Sequence, residues 1–576
     1  MDILNPIYTE KAECQDCYKC VRACPVKSIR IEGGRASVVP ELCVLCGRCV
    51  QVCPVGAKRV RDDLSRVRRF LEQGQPVTAS LAPSFTAEYP GAGPERISVA
   101  LRRLGFAAVS ETALGADLVS EKIARMLMEG SGTAGGRVLI SSACPTVVEH
   151  IKKYHVRFAD RVTEICSPLL AHARLLKREY GRETKVVFIG PCISKKRESD
   201  LHKDILDAAI TFQDLSAWLD SEGIRILDLV PGNEDRFQPA RAAKGTLYPV
   251  DGGMIASIRK YETPPGVRWM CFSGIPEIDR ALSGFSEAEI EGTVFLELLA
   301  CPGGCVNGPC VRSAQGTIAK RLRIQKHAET AADRGSFQGV ALESSWFVKP
   351  VPFRTPDRDE LEEALRKTGK HTVGDELNCS GCGYDTCRDF AAAMVDGRAE
   401  ASMCVSNMRR LAQNKASGLL RSIPSGVVIV DQDLRIVECN RRFAQILGTE
   451  METVWDAKPG MEGAELCKLV PFHRYFREVL DGADALERDM RFGRRVIHGT
   501  VFCIERGGFA GGVFQDITSP WIRKDRVVTQ ARKVIEKNLA VVQKIAFLLG
   551  ENAAESEAIL TSIIESFEVS REEPGT

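Results

Sequence analysis

The chain has 576 residues. At roughly 100–200 residues per domain, that length excludes a single compact core and predicts about three to five domains. Lys and Arg exceed Asp and Glu by 78 − 76 = +2, with 44% hydrophobic and 27% charged residues, which excludes collagen-like or disordered chains and leaves no bulk charge to steer it toward nucleic acid or membrane. Cysteine is the outlier: there are 22, bunched rather than scattered. The start, Met1 to Glu13, has no apolar stretch of signal-peptide type, and no run approaches a membrane span, so the expectation is a cytoplasmic chain whose cysteines are metal or redox ligands rather than disulfides.

In chain order, residues 1–74 form the first predicted domain, which ends in a polar helix from Asp62 to Glu72. Cys14, Cys17, Cys20 and Cys24 before Pro25 spell CxxCxxCxxxCP, and Cys43, Cys46, Cys49 and Cys53 before Pro54 spell it again. A cubane cluster takes three thiolates from one tight loop and a fourth from across the domain. The pairing predicted is Cys14, Cys17, Cys20 and Cys53 for one 4Fe-4S cluster, and Cys43, Cys46, Cys49 and Cys24 for a second. Zinc, the alternative, usually takes two separated CxxC pairs.

Residues 75–346 alternate β-branched runs with helical ones. Arg137 to Ser141, Lys185 to Ile189 and Gly292 to Leu299 are each followed by a Cys/Pro/Gly turn, which predicts an α/β domain with a sheet at least partly parallel. The turns hold Cys144 in SSACP, Cys192 in GPCISKKRE, and Cys301 with Cys305 in ELLACPGGC. Taken singly, each reads as a buried structural thiol. Loops at the carboxyl ends of such strands can nonetheless converge on one ligand.

Residues 347–407 begin with a helix from Asp357 to Thr368 and then read NCSGCGYDTC, placing Cys379, Cys382 and Cys387 before a predicted helix Arg388 to Ala401 and Cys404. The glycines at 381 and 383 free the loop to wrap a cluster. Residues 408–518 open with strands Val427 to Val430 and Leu434 to Glu438, then a helix after Asn440. They close with strands Val496 to Glu505 and Gly511 to Phe514 before Asp516, Ile517 and Thr518. Cys439, Cys467, Cys503 and His473 in this segment read as structural, so no cofactor is expected there. Residues 519–576 predict a helical signalling or dimerisation tail with a stripe at Val527, Ala531, Val534, Val541, Ile545 and Leu548.

The three turn motifs, SSACP, GPCISKKRE and ELLACPGGC, behind a two-cluster ferredoxin-like start, resemble the signature motifs of iron-only (FeFe) hydrogenases. The resemblance implies an H-cluster, a 4Fe-4S cubane joined to a diiron subcluster with CO, cyanide and dithiolate ligands. Cys144, Cys192, Cys301 and Cys305 would hold the cubane, Cys305 bridging to the diiron unit. Lys195 would donate to one cyanide, and Pro83 with Ser84, in SLAPSF, would lie beside the other. The spacing of Cys379, Cys382, Cys387 and Cys404 resembles small 4Fe-4S domains of corrinoid iron-sulfur proteins, and 408–518 resembles a PAS domain.

This chain departs from the hydrogenase motifs at informative places. Where the family has a proton-passing cysteine stands Ala143; where it has methionines stand Gly190 and Leu299; and Thr146 and Val147 replace its Trp. After Ala116, Asp117 and Leu118 the family's acidic pair is altered, leaving Glu121 and Glu297 as remnants of a proton path and Cys310 as an alternative relay. A missing general acid–base group costs about 10²–10⁴-fold, so slow turnover is expected.

The reading is a multidomain α+β and α/β chain: ferredoxin, H-cluster, 4Fe-4S and PAS domains and a C-terminal helix. Its expected activity is that of a sensory FeFe hydrogenase that oxidises H2 slowly and reversibly and passes electrons through three accessory 4Fe-4S clusters toward the PAS region. Expected partners are H2 and protons, a redox carrier such as ferredoxin, a kinase or phosphatase in trans, diiron maturation proteins and a second copy in a homodimer, with neither nucleic acid nor membrane. The alternatives are a fast hydrogenase with a rerouted proton path and a non-catalytic iron-sulfur electron-transfer or scaffold protein.

Overall fold

Pro25 and Pro54 decide the shape of the cysteine-dense start. In a computed structural model, which describes residues 5–518 apart from 131–135, 233, 287–289, 331–336 and 352–353, together with 528–529, 531–537 and 539, short helices Lys19–Ala23 and Arg48–Val52 each end at a cysteine with extended backbone, Cys24 at φ −76°, ψ 112° and Cys53 at φ −69°, ψ 112°. A residue before proline is barred from the helical region. Each helix therefore stops at its last cysteine and turns it away from its own loop. Two antiparallel pairs frame the block, Ile7–Thr9 with Lys58–Val60 and Ile29–Glu32 with Arg35–Val38.

The chain divides into two units, residues 1–407 and 408–576. The first also contains a four-stranded sheet, ordered Ala108–Glu111, Val77–Leu81, Lys185–Gly190, Ala208–Thr211, and a three-stranded one, ordered Arg268–Ser273, Thr293–Leu299, Arg137–Ile140. Every pairing in both is parallel. Strands covered on both faces need apolar side chains on both, so they read as unbroken β-branched runs. Val77–Leu81 is buried at every residue and Lys185–Gly190 and Thr293–Leu299 at all but the first.

Asp117 anchors what covers the strand ends. Its carboxylate accepts the amides of Ala243 and Gly245 at 2.6 and 2.7 Å, holding the segment that carries Tyr248 and Pro249. Farther along, the helices Arg358–Lys367 and Cys387–Val395 are both started by capping boxes, Asp357 with Glu360 and Thr386 with Asp389. The second was expected to run to Ala401. It ends six residues earlier because the amides of Gly397 and Arg398 fold back onto the carbonyls of Met394 and Ala393, a Schellman-type stop. Only a single turn, Ala401–Met403, precedes Cys404.

The second unit is a five-stranded antiparallel sheet, ordered Ile436–Cys439, Gly426–Asp431, Phe509–Asp516, Arg495–Glu505, Leu486–Phe492. The last strand was not anticipated: its sequence, LERDMRF, is a charged edge strand with no β-branched run to announce it. Most of the expected tail helix lies outside the described residues, although 531–537 are helical. No helix among the described residues is long and apolar enough to cross a membrane.

Asn440 holds the start of the second unit. Its carboxamide accepts the amides of Val427 and Phe443 and donates to the carbonyls of Leu420 and Ser425, all within 3.0 Å. Asn440→Ala strands two buried amides and releases two half-buried carbonyls, and should destabilise the unit by about 2–4 kcal/mol. Hydrogen exchange at Gly426–Asp431 in the full chain should rise accordingly, and unchanged protection would contradict this role.

Candidate metal centres

Three cysteine loops share an unusual backbone. Left-handed residues flank one cysteine in each: Asp16 and Tyr18 around Cys17, Leu45 and Gly47 around Cys46, Asn378 and Ser380 around Cys379. Most are not glycine, and each such residue costs of order 1–3 kcal/mol unless the surroundings impose it. Curled this way, a loop turns successive amides toward one concavity, the geometry of many iron-sulfur sites.

The structure gathers the cysteines into four sets. Cys14, Cys17, Cys20 and Cys53 line one small cavity of about 20 Å³ with Lys58 beside them. Cys24 lies with Cys43, Cys46 and Cys49, close enough that its charge raises all three thiols beyond what burial does. Cys382 is likewise raised by burial first and then by Cys404 and Cys379. Cys387 opens its helix with its amide on Asn378 Oδ1 at 2.7 Å.

The fourth set lies at the strand ends of the two parallel sheets. Loops leaving the carboxyl ends of five parallel strands meet round a cavity of about 110 Å³, lined by Pro83, Ser84, Ala143, Cys144, Cys192, Lys195, Leu299 and Cys305 among others. Cys301 lies just behind. Burial pushes Cys192 up to about 11, with Cys144 adding, and holds Cys301 and Cys305 well above the ordinary thiol value, both raised further by Cys144 and Cys192 and Cys301 by Cys305 as well. Such thiols become thiolates together only around a cationic core.

Two donors in this cavity fit an acceptor the chain does not provide. Ser84 is 1% exposed and its hydroxyl has no partner among the described residues. Lys195 donates to Glu198 Oε2 at 2.6 Å and Ser167 Oγ at 3.0 Å, leaving one of its three N–H groups for the cavity. Thiol set, orphaned hydroxyl and spare ammonium proton together suit a metal core carrying small anionic ligands. Glu198 and Ser167 were missed by sequence reasoning, although the Lys195/Glu198 spacing of three on a helix was a usable signal. The Gly245–Pro249 wall carried no signal.

The departures have structural reasons. At Gly190 an added Cβ would lie 2.4 Å from the ring of Phe188, so Phe188, with Leu299, fills the wall. Ala143 presents a methyl group to the cavity; the hydroxyl that lines it on another side, Tyr248, is bonded to Ser120 at 2.9 Å, and Ser120 to Ser257 at 2.8 Å. Two relay candidates lie outside the lining. Glu121 does not line the cavity and is paired with Arg125, and Cys310 is fully buried against Thr211 and Lys196, outside the lining. Glu297 is fully buried, accepts the amide of Ile255 at 3.0 Å and leaves Oε1 without a partner.

Comparison with known proteins matches the domains in which these residues lie. Residues 75–309 match the family model of the C-terminal domain of the iron only hydrogenase large subunit, 6–65 that of a 4Fe-4S dicluster domain, 375–406 that of an Fe-S cluster and 414–488 that of a PAS domain. Iron hydrogenase 1 of Clostridium pasteurianum is 26% identical over 282 residues, 40% of this chain and 48% of that protein. The periplasmic Fe hydrogenase large subunit of Nitratidesulfovibrio vulgaris is 25% identical over 370 residues, 53% of this chain and 86% of that one. A cytosolic Fe-S cluster assembly factor of Drosophila mojavensis is 23% identical over 280 residues, 39% of this chain and 58% of that one. The chain thus spans about half the length of the first of these relatives. A solved FeFe hydrogenase from Chlamydomonas reinhardtii aligns over 50% of this chain and 99% of that one at 19% identity and TM-score 0.40. The chain carries a hydrogenase-like domain with dicluster, Fe-S and PAS domains.

Burial pushes the Glu297 carboxyl up to about 7. Between roughly pH 4.5 and 7 the unfolded chain is ionised there and the folded one is not, so this group's contribution to stability falls as pH rises across that window. Glu297→Gln removes the dependence. The melting temperature of the variant relative to the parent should climb from pH 5 to pH 7, and a flat difference would contradict the assignment.

Proposed function

We propose that this chain is a sensory FeFe hydrogenase of low turnover. Cys144, Cys192, Cys301 and Cys305 would hold the cubane of an H-cluster, Cys305 being the ligand shared with the diiron unit, and the remaining sets would hold three further 4Fe-4S clusters. When bound, the H-cluster supplies the chemistry that splits dihydrogen and releases its electrons. The chain's own residues do the rest. Lys195, fixed by Glu198 and Ser167, and Ser84 orient the anionic ligands; Pro83, Phe188 and Leu299 exclude water; and the second cluster set, with Cys46 near enough to Cys301 to raise its thiol, takes the electrons outward. Redox carrier, trans-acting signalling protein, maturation proteins and homodimer are the partners this reading needs.

The observation that carries it is the methyl group of Ala143 in a cavity that keeps Cys144, Cys192, Cys305, Lys195 and Ser84. Ligands and donors support binding of the diiron unit, while the side chain nearest to supplying protons cannot carry one. A detector needs the first and is served by the lack of the second. A scaffold reading draws on the likeness to the Fe-S cluster assembly factor. Against it stand Ser84 and Lys195, whose unspent donors have no use in a scaffold.

Ala143→Cys tests the proposal. In protein loaded by competent maturation proteins, the thiol should raise the proton-reduction rate from reduced carrier roughly tenfold or more without changing iron content. Rapid evolution already in the parent chain would sink the low-turnover claim. Absence of any hydrogen-dependent activity in both forms would favour the scaffold.

A further inference from the structure

Lys370 is a buried cation with no acid beside it. It is 5% exposed, and its ammonium donates to Cys404 Sγ at 3.1 Å, to Thr368 Oγ1 at 3.1 Å and to the Thr368 carbonyl at 3.4 Å. All three protons are thereby used, and it forms no ion pair with a carboxylate among the described residues. Burying an ammonium without a counter-charge is costly, and the sulfur of Cys404 is the one partner of the three that becomes an anion. The Ser406 hydroxyl lies on the same sulfur at 3.3 Å.

The other cysteine sets are treated differently. Cys24 Sγ accepts the Ser28 amide and Cys43 Sγ the Leu45 amide, both at 3.3 Å. These are neutral donors. Lys58, which lines the first set's cavity, donates to Thr9 and the Ala36 carbonyl and acts on Cys20 and Cys49 through space rather than by a hydrogen bond to sulfur. A cation hydrogen-bonded to a ligand sulfur favours the more negative, reduced cluster and so raises its potential.

The Cys404 set is also docked where electrons can reach it. Gly383, at φ 97°, lets its loop press on the first cysteine block so closely that a Cβ would lie 3.0 Å from the Arg22 amide and Val21. Lys27 donates to the Gly383 carbonyl at 2.7 Å, and Arg22 bridges the carbonyls of Cys17 and Gly381 at 2.9 and 3.4 Å. Buried Tyr384 lies within electrostatic reach of both Cys382 and Cys24.

We propose that Lys370 makes the centre at Cys379, Cys382, Cys387 and Cys404 the most readily reduced of the three accessory clusters, the electron sink of the chain. One electron leaves a reduced cluster of the Cys24 set, which is oxidised, and enters this centre, with no bond made or broken. The inference rests on the cluster assignments proposed above and deepens them, since it gives the branch that ends at Cys404 a direction.

The test is a potentiometric titration followed by electron paramagnetic resonance, on full-length chain carrying its cubanes but no diiron unit. The signal of this centre is the one that Cys382→Ala removes. In the parent chain it should appear first as the potential is lowered. Lys370→Met should lower its reduced-to-oxidised ratio at fixed potential about tenfold, which is about 59 mV for a one-electron couple, and leave the other signals in place; Lys370→Arg should stay at the parent value. Lys370→Gln, which keeps a donor without the charge, is read by the same criterion if the Met variant loses iron. An unmoved midpoint in a variant that keeps its iron, a parent signal that appears last, or no signal lost in Cys382→Ala would overturn the proposal. No diiron unit takes part, so failure here is separate from failure of the hydrogenase reading.

Discussion

Four thiolates drawn from three chain segments have to meet around one cationic core, and the first unit is organised around that requirement. Thiolates repel one another and burial penalises each of them, so the convergence is stable only with the core in place. Parallel strands solve the geometry because their carboxyl ends all face one way. Cys144 follows Arg137–Ile140, Cys192 follows Lys185–Gly190, and Cys301 with Cys305 follow Thr293–Leu299. Two sheets therefore suffice to aim loops from distant sequence at one cavity.

The same constraint fixes how the cysteine-dense block is joined to the cavity. The helix Pro145–Tyr154 begins at Cys144 and at its other end donates from Lys153 to the Cys43 carbonyl and from Tyr154 to the Leu42 carbonyl. It is pinned there by His150 and His155, whose imidazoles both donate to Asp279 Oδ1, at 2.6 and 2.7 Å. On the opposite side of the same loop, Gly47 packs so tightly on Pro309 and Ile193 that a Cβ would lie 2.4 Å from the proline. One rigid helix and one glycine contact thus hold the loop of the second cluster set against the loops of the fourth.

Much of this was legible in the sequence, and what was not has identifiable causes. The duplicated CxxCxxCxxxCP run announces its clusters because spacing is local, and the proline after each last cysteine announces the crossing. The Cys144, Cys192, Cys301 and Cys305 set is legible only through family likeness, since no local rule joins residues so far apart. The space at Gly190 is taken by Phe188, a neighbour on the same strand that pattern reading treats as ordinary core. Glu121 and Cys310 lie outside the cavity lining because sequence proximity to a motif does not decide which way a side chain faces. Lys370 was invisible for the converse reason: its meaning lies in the acid that is missing beside it.

Infrared spectroscopy in the window where metal-bound CO and cyanide absorb, on anaerobic protein treated with competent diiron maturation proteins, tests the central claim most directly. If the cavity holds a working H-cluster, bands appear and shift when hydrogen replaces argon. A spectrum empty in that window despite competent maturation, or bands indifferent to hydrogen, would contradict it.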